Sequence, residues 1–133
     1  MSYDKQIIMA LGSNHNPLQN ISHAEVILKQ LFPDITFSKR LWTNPIGMTS
    51  PQFLNTLAIC STKESLKETL HDIKHIELLC GDTQSQRKEK IVAMDIDILK
   101  YGSQKLHEND WNRPYIQQLL KEMKLKWKNS FWF

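Results

Sequence analysis

The spacing of apolar residues changes several times along the chain, and each change predicts an element. Lys5 to Leu11 (KQIIMAL) is a short apolar run that predicts a buried strand, ended by a turn at Gly12-Ser13-Asn14. Ile21, Ala24, Ile27, Leu28 and Leu31 then follow helical spacing. Asn16-Pro17 offers an N-cap with proline at the first helical position, Gln19 completes a capping-box pattern, and Pro33 stops the helix. Ile35 to Trp42 sets Ile35, Phe37 and Leu41 against polar partners, which predicts a strand; a loop from Thr43 through Pro51 breaks it. Phe53 to Ser61 is β-rich and mostly apolar, a second inner strand.

Ser61 and Thr62 are placed to cap a helix from Lys63 to about Leu79, with Leu66, Leu70, Ile73, Ile76 and Leu79 as its apolar stripe. Gly81 to Lys90 is charged and lacks periodicity, a flexible loop. Ile91 to Tyr101 returns to strand character and Gly102 ends it. Ile116, Leu119, Leu120 and Met123 predict a last helix, and the aromatic tail Trp127 to Phe133 is expected to pack on something. The order is β-α-β-β-α-β followed by a helix. It predicts an α+β fold, the ferredoxin-like sandwich with helices on one face of an antiparallel sheet, as one domain over residues 1–133.

With 133 residues, 41% of them apolar, the chain is long enough to bury a core and is neither disordered nor disulfide-dense in composition. No run approaches the roughly 18 apolar residues of a membrane helix. The N-terminus lacks a charged-then-apolar signal pattern, so no membrane association and a cytoplasmic location are expected. Cys60 and Cys80, with no CxxC neighbour, read as reduced thiols. The net charge of +3 permits a polyanionic ligand without requiring one.

The candidate chemistry lies in Met94-Asp95-Ile96-Asp97-Ile98. Alternate side chains of a strand share a face, so Asp95 and Asp97 point one way and Met94, Ile96 and Ile98 the other. Two neighbouring carboxylates on a half-buried face repel each other and call for a cation, for which Mg²⁺ held together with substrate phosphates is the natural candidate. Spacing alone leaves another reading open, with one aspartate exposed at the strand end and the other capping a turn. The preceding cations Arg87, Lys88 and Lys90 favour a phosphoryl-transfer site. No G-x-x-x-x-G-K-[ST] occurs, so the site is not a P-loop.

Five segments resemble, in order, the 6-hydroxymethyl-7,8-dihydropterin pyrophosphokinase family. They are Ala10-Leu11-Gly12-Ser13-Asn14, Thr43-Asn44-Pro45-Ile46-Gly47, Phe53-Leu54-Asn55, Ile76-Glu77 with Gly81, and Met94 to Leu99. That family moves a pyrophosphoryl group from ATP to the hydroxymethyl of a reduced pterin in folate biosynthesis, using two Mg²⁺ ions. The resemblance implies that Asp95 and Asp97 hold both ions. It implies that Asn55 bonds the pterin edge, that Thr43, Asn44, Ile46 and Phe53 line the pterin pocket, and that Tyr115 stacks on the ring. Glu77, Lys74, Lys90, Ile98 and Arg113 would contact the nucleotide, although Glu77 reads equally well as a salt-bridge partner of Lys74 or as part of a solvated helix face.

Asp82, Gln84 and Val92 stand where the family usually has arginine, and Glu89 where it has tryptophan; Leu106 to Trp111 replaces its Val-Pro-His-Pro. Arg87 and Lys88 would then take over as catalytic cations. The expected partners are ATP and a reduced pterin, not nucleic acid, with the chain a monomer or weak homodimer. The alternative expectation is a weak or inactive homologue that binds nucleotide or pterin in a regulatory role.

Overall fold

A computed structural model describes residues 4–45 and 50–126. Strand β1 (Lys5–Ser13) is central and pairs antiparallel with both β4 (Phe53–Thr62) and β5 (Asp95–Tyr101). Beyond β4 lie β2 (Thr36–Phe37) and β3 (Leu41–Thr43), and beyond β5 lies β6 (Gln104–Lys105). Helices α1 (Pro17–Leu31) and α2 (Leu66–Leu79) cover one face, burying Ile7, Met9, Leu11, Ile96 and Ile98 against Ile21, Leu28, Ile73 and Ile76. The fold is the antiparallel ferredoxin-like sandwich.

Helix α4 (Pro114–Lys126) lies on the opposite face, so the helices are not confined to one side. Ile116, Leu119, Leu120 and Met123 pack there on Ile8, Leu57, Ile59 and Leu99. This second core covers only part of the face and leaves room for a site beside it.

Several boundaries differ from the sequence pattern, each for a local reason. The strand expected over Ile35–Trp42 is two short strands, because Ser38 interrupts the ladder: its Oγ accepts the Leu57 N–H at 2.8 Å. Asn16 adopts a left-handed conformation and makes no side-chain cap, although Pro17 does open α1. Ser61 and Thr62 belong to β4, and Ser65 caps α2 through a capping box with Glu68.

The buried positions of α2 are Thr69, Ile73, Ile76 and Glu77, while Leu70 and Leu79 are 48% and 51% exposed. Polar residues can occupy that face because both are satisfied: Thr69 Oγ1 donates to Ser65 O, and Glu77 accepts from β5.

The charged segment after Gly81 is ordered rather than loose. Thr83 caps a short helix α3 (Gln84–Lys88). Residues 91–94 precede β5 instead of joining it, held by Asn14, whose backbone N–H bonds Val92 O at 3.0 Å and whose Oδ1 accepts the Val92 N–H at 2.6 Å. Asn14 Nδ2 also donates to Lys90 O at 2.9 Å. The turn after β1 therefore anchors the basic segment beside the end of β5. The tail Trp127 to Phe133 lies outside the described residues.

Candidate active site

Sheet register builds the site. Asp95 lies opposite Gly12, Gly12 opposite Asn55, and Asn55 opposite Leu41; Asp97 lies opposite Ala10. Residues at these paired positions share one face, the one that α4 leaves partly open. Gly12 and Ala10 carry almost no side chain there, and the space becomes a cavity of about 200 Å³. Gly12, Thr43, Asn44, Phe53, Asn55, Asp95, Asp97, Arg113 and Tyr115 all line it. Leu99 and Ile116 supply apolar wall and Asp110 a further carboxylate.

At one end the pocket is set to accept hydrogen bonds. Asn55 is buried, and its Nδ2 donates to Thr43 Oγ1 at 2.7 Å, Leu41 O at 3.2 Å and Phe53 O at 3.3 Å. Those donations fix the amide and turn Oδ1 toward Gly12 and the cavity. A ligand meeting Asn55 Oδ1 must present N–H donors. Asn44 accepts from Gln52 Nε2 at 3.0 Å, which ties the Thr43–Pro45 wall to the segment before β4.

The other end is acidic. Burial first, then the neighbouring Asp95 charge, pushes the Asp97 carboxyl up to about 6, while His107 works in the opposite direction. Asp95 opens β5 with its side chain 39% exposed, and Asp97 is half-buried two residues on, on the same face. Oxygen donors side by side above the small residues Ala10 and Gly12 fit a hard divalent cation such as Mg²⁺.

Arg87 reaches this end from α3, with its Nε and Nη2 donors engaged. Nε donates to Asp82 Oδ2 at 2.7 Å, and Nη2 donates to Met94 O at 3.0 Å and lies 3.4 Å from Asp95 Oδ1. Burial alone would lower its pKa, yet the Asp82 hydrogen bond and the Asp95, Asp82 and Glu77 charges raise it. Glu77 is buried behind β5, where Oε2 accepts the Ile96 N–H at 2.8 Å; burial raises its pKa most, and the backbone bond opposes that. That bond satisfies a β5 donor in a stretch where no further strand pairs on that edge.

Lys74 lies 3.9 Å from Glu77 on the exposed side of α2, and Ile98 is buried in the α1/α2 core; neither reaches the cavity. Lys88 and Lys90 are exposed and also stay outside it. Ile46 lies outside the described residues.

Arg113 lines the cavity, with Nη2 held at 3.0 Å by Asp110 Oδ1. His107, in a left-handed conformation at the start of a 3-10 helix (Glu108–Asn112), lies 3.8 Å from Asp97. Neither His107 nor Asp110 was singled out from the sequence. No local pattern marks them: His107 is left-handed and precedes the 3-10 helix, and the pair matters only through the approach of that turn to β5.

The family model described as 7,8-dihydro-6-hydroxymethylpterin-pyrophosphokinase (HPPK) matches residues 8–125. The chain belongs to this family. A curated relative, the folate synthesis bifunctional protein of Arabidopsis thaliana, is 31% identical over 123 residues, covering 84% of this chain. The match spans 25% of that relative's length. Every lining residue named from the family motifs that lies within the described residues falls inside the family match. No helix among the described residues is long and apolar enough to cross a membrane.

Proposed function

We propose that this chain transfers pyrophosphate from ATP to 6-hydroxymethyl-7,8-dihydropterin, giving AMP, as a step of folate biosynthesis. The observation that carries the reading is the single cavity in which an amide acceptor, an aromatic wall and a carboxylate pair face one another across the β5–β1–β4 register.

A flat pterin ring suits the space between Phe53, Tyr115 and Leu99, with its N–H edge on Asn55 Oδ1. The hydroxymethyl group would then lie toward Asp95 and Asp97. Those carboxylates would hold Mg²⁺, which when bound neutralises phosphate charge and orients the ATP chain. In the transfer, the hydroxymethyl oxygen bonds to the β-phosphorus, the bond from that phosphorus to the bridging α–β oxygen breaks with its electron pair leaving on AMP, and the hydroxyl proton passes to solvent water. AMP leaves and no covalent enzyme intermediate forms. Arg113, which lines the cavity with its Nη2 on Asp110 Oδ1, would meet phosphate oxygens.

Incubation with ATP, Mg²⁺ and hydroxymethyldihydropterin should release AMP, and Asp97→Ala should abolish it. Saturable Mg²⁺-dependent nucleotide binding without AMP would overturn the catalytic reading. It would favour the second one, a weak or inactive homologue that binds nucleotide or pterin in a regulatory role. One observation supports that alternative: Arg87 has Nε and Nη2 committed to Asp82, Met94 O and Asp95.

A further inference from the structure

We propose that Asp97, His107 and Asp110 together hold a divalent cation through two carboxylate oxygens and one imidazole nitrogen, so that the site accepts Mn²⁺, Co²⁺ or Zn²⁺ as well as Mg²⁺. The inference rests on the metal site of the reading above, because Asp97 belongs to both, and adds two ligands from outside β5.

One donor atom from each of the three residues lies within 4.8 Å of the others. His107 Nε2 is 3.8 Å from Asp97 Oδ1, and Nδ1 is 4.0 Å from Asp110 Oδ2. Both separations are too long for a hydrogen bond. One ion takes only one of the two ring nitrogens, so one of these separations belongs to the shared site. It matches donors each about 2.1 Å from one cation, which stand roughly 3 to 4 Å apart. The 4.8 Å span of the three donor atoms leaves the third ligand a small side-chain shift away. The ligands come from two elements: β5 supplies Asp97, and the 3-10 turn supplies Asp110 with His107 at its left-handed N-cap.

Charge favours a cation as well. Asp95, Asp97 and Asp110 bring carboxylates to this end of the cavity, and the cations within reach, Arg87 and Arg113, are each held by a carboxylate already. The imidazole makes the set selective. Mg²⁺ prefers an all-oxygen shell, whereas first-row transition ions gain from a nitrogen ligand.

Titration of the full chain with Co²⁺ and separately with Mg²⁺, without nucleotide or pterin, tests this. Visible absorption of Co²⁺ reports binding and, through its dependence on His107, ligation. Paramagnetic broadening by Mn²⁺ of the His107 ring signals reports that the ion sits beside that ring in the unaltered protein. Co²⁺ should bind, His107→Ala should weaken it about tenfold or more, and Mg²⁺ affinity should change by no more than about twofold. Asp110→Asn should weaken both ions. Equal Co²⁺ affinity for the wild type and His107→Ala, or His107 signals untouched by Mn²⁺, would overturn the proposal. Absent AMP release with intact His107-dependent Co²⁺ binding would overturn the catalytic reading alone.

Discussion

Gly12 and Asn55 face each other across the β1–β4 ladder, and a methyl group on Gly12 would stand 3.1 Å from Asn55 Oδ1. Asn55 cannot retreat freely, because three acceptors hold its Nδ2. The glycine thus keeps open both the amide acceptor and the cavity in front of it. Its backbone is ordinary extended strand, so alanine there tests space rather than conformation. Gly12→Ala should leave the fold intact while weakening pterin binding about tenfold, the loss of one well-placed hydrogen bond to a buried partner. Fluorescence titration with the pterin checks this; unchanged affinity would remove Asn55 from the pterin site.

Arg87 should matter more for folding than for chemistry. It is the charge partner of buried Asp82, whose Oδ1 has no hydrogen bond, and it also binds Met94 O at the approach to β5. Arg87→Ala would leave Asp82 buried and unpaired, a change that commonly costs about 3 kcal/mol. Urea unfolding should show the loss. The same substitution releases Asp95 from its cation at 3.4 Å, so Mg²⁺ affinity should rise in the folded variant. A fall in Mg²⁺ affinity would mean that Arg87 orients the carboxylates instead of competing for them.

The sheet, the major helices and the two aspartates were legible in the sequence because each follows one period. Asp95 and Asp97 alternate with Met94, Ile96 and Ile98, and the structure places those three in the α1/α2 core. What period could not reveal depends on partners distant in the chain. Glu77 is buried because Ile96, 19 residues away, needs an acceptor. The segment after Gly81 is ordered because Asn14 bonds residues 76 and 78 positions further on. Leu70 looked like core only while Thr69 looked polar; the bond from Thr69 to Ser65 O reverses the two. Asp110 was hidden because its importance is the approach of a 3-10 turn to β5, which no local pattern encodes.

Asp97 makes pH dependence predictable. Its carboxyl titrates near 6 in the fold against an ordinary 3.8, so the folded state holds its proton to a higher pH than the unfolded chain. For an acid raised in this way, the contribution to stability is greatest below 3.8 and is lost as pH rises through about 6. A bound cation requires the ionised form and reverses the trend. Metal-free protein should therefore lose stability between about pH 4 and pH 6 and change little above that, and Mg²⁺ should raise Tm at pH 7.5 much more than at pH 5. Apparent Mg²⁺ affinity should fall about tenfold per pH unit below the Asp97 titration. Asp97→Asn should flatten both responses, and a wild type with the same Mg²⁺-induced Tm shift at both pH values would separate Asp97 from the metal.

Glu77 offers a way to disturb the carboxylate pair without touching the cavity. Its Oε2 accepts the N–H of Ile96, the residue between Asp95 and Asp97, so the strand segment bearing the site is held by a side chain of α2. Glu77→Gln retains an acceptor and removes a buried charge that the fold disfavours, which should leave stability within about 1 kcal/mol. Glu77→Ala strands the Ile96 N–H and should cost about 2 to 3 kcal/mol. It should also lower the AMP-forming rate at saturating substrate, while pterin affinity at the Asn55 end stays unchanged. Hydrogen exchange at Ile96 gives the direct readout: protection should persist in the glutamine variant and collapse in the alanine variant. Equal protection in both would assign the rigidity of this segment to the β1 ladder alone.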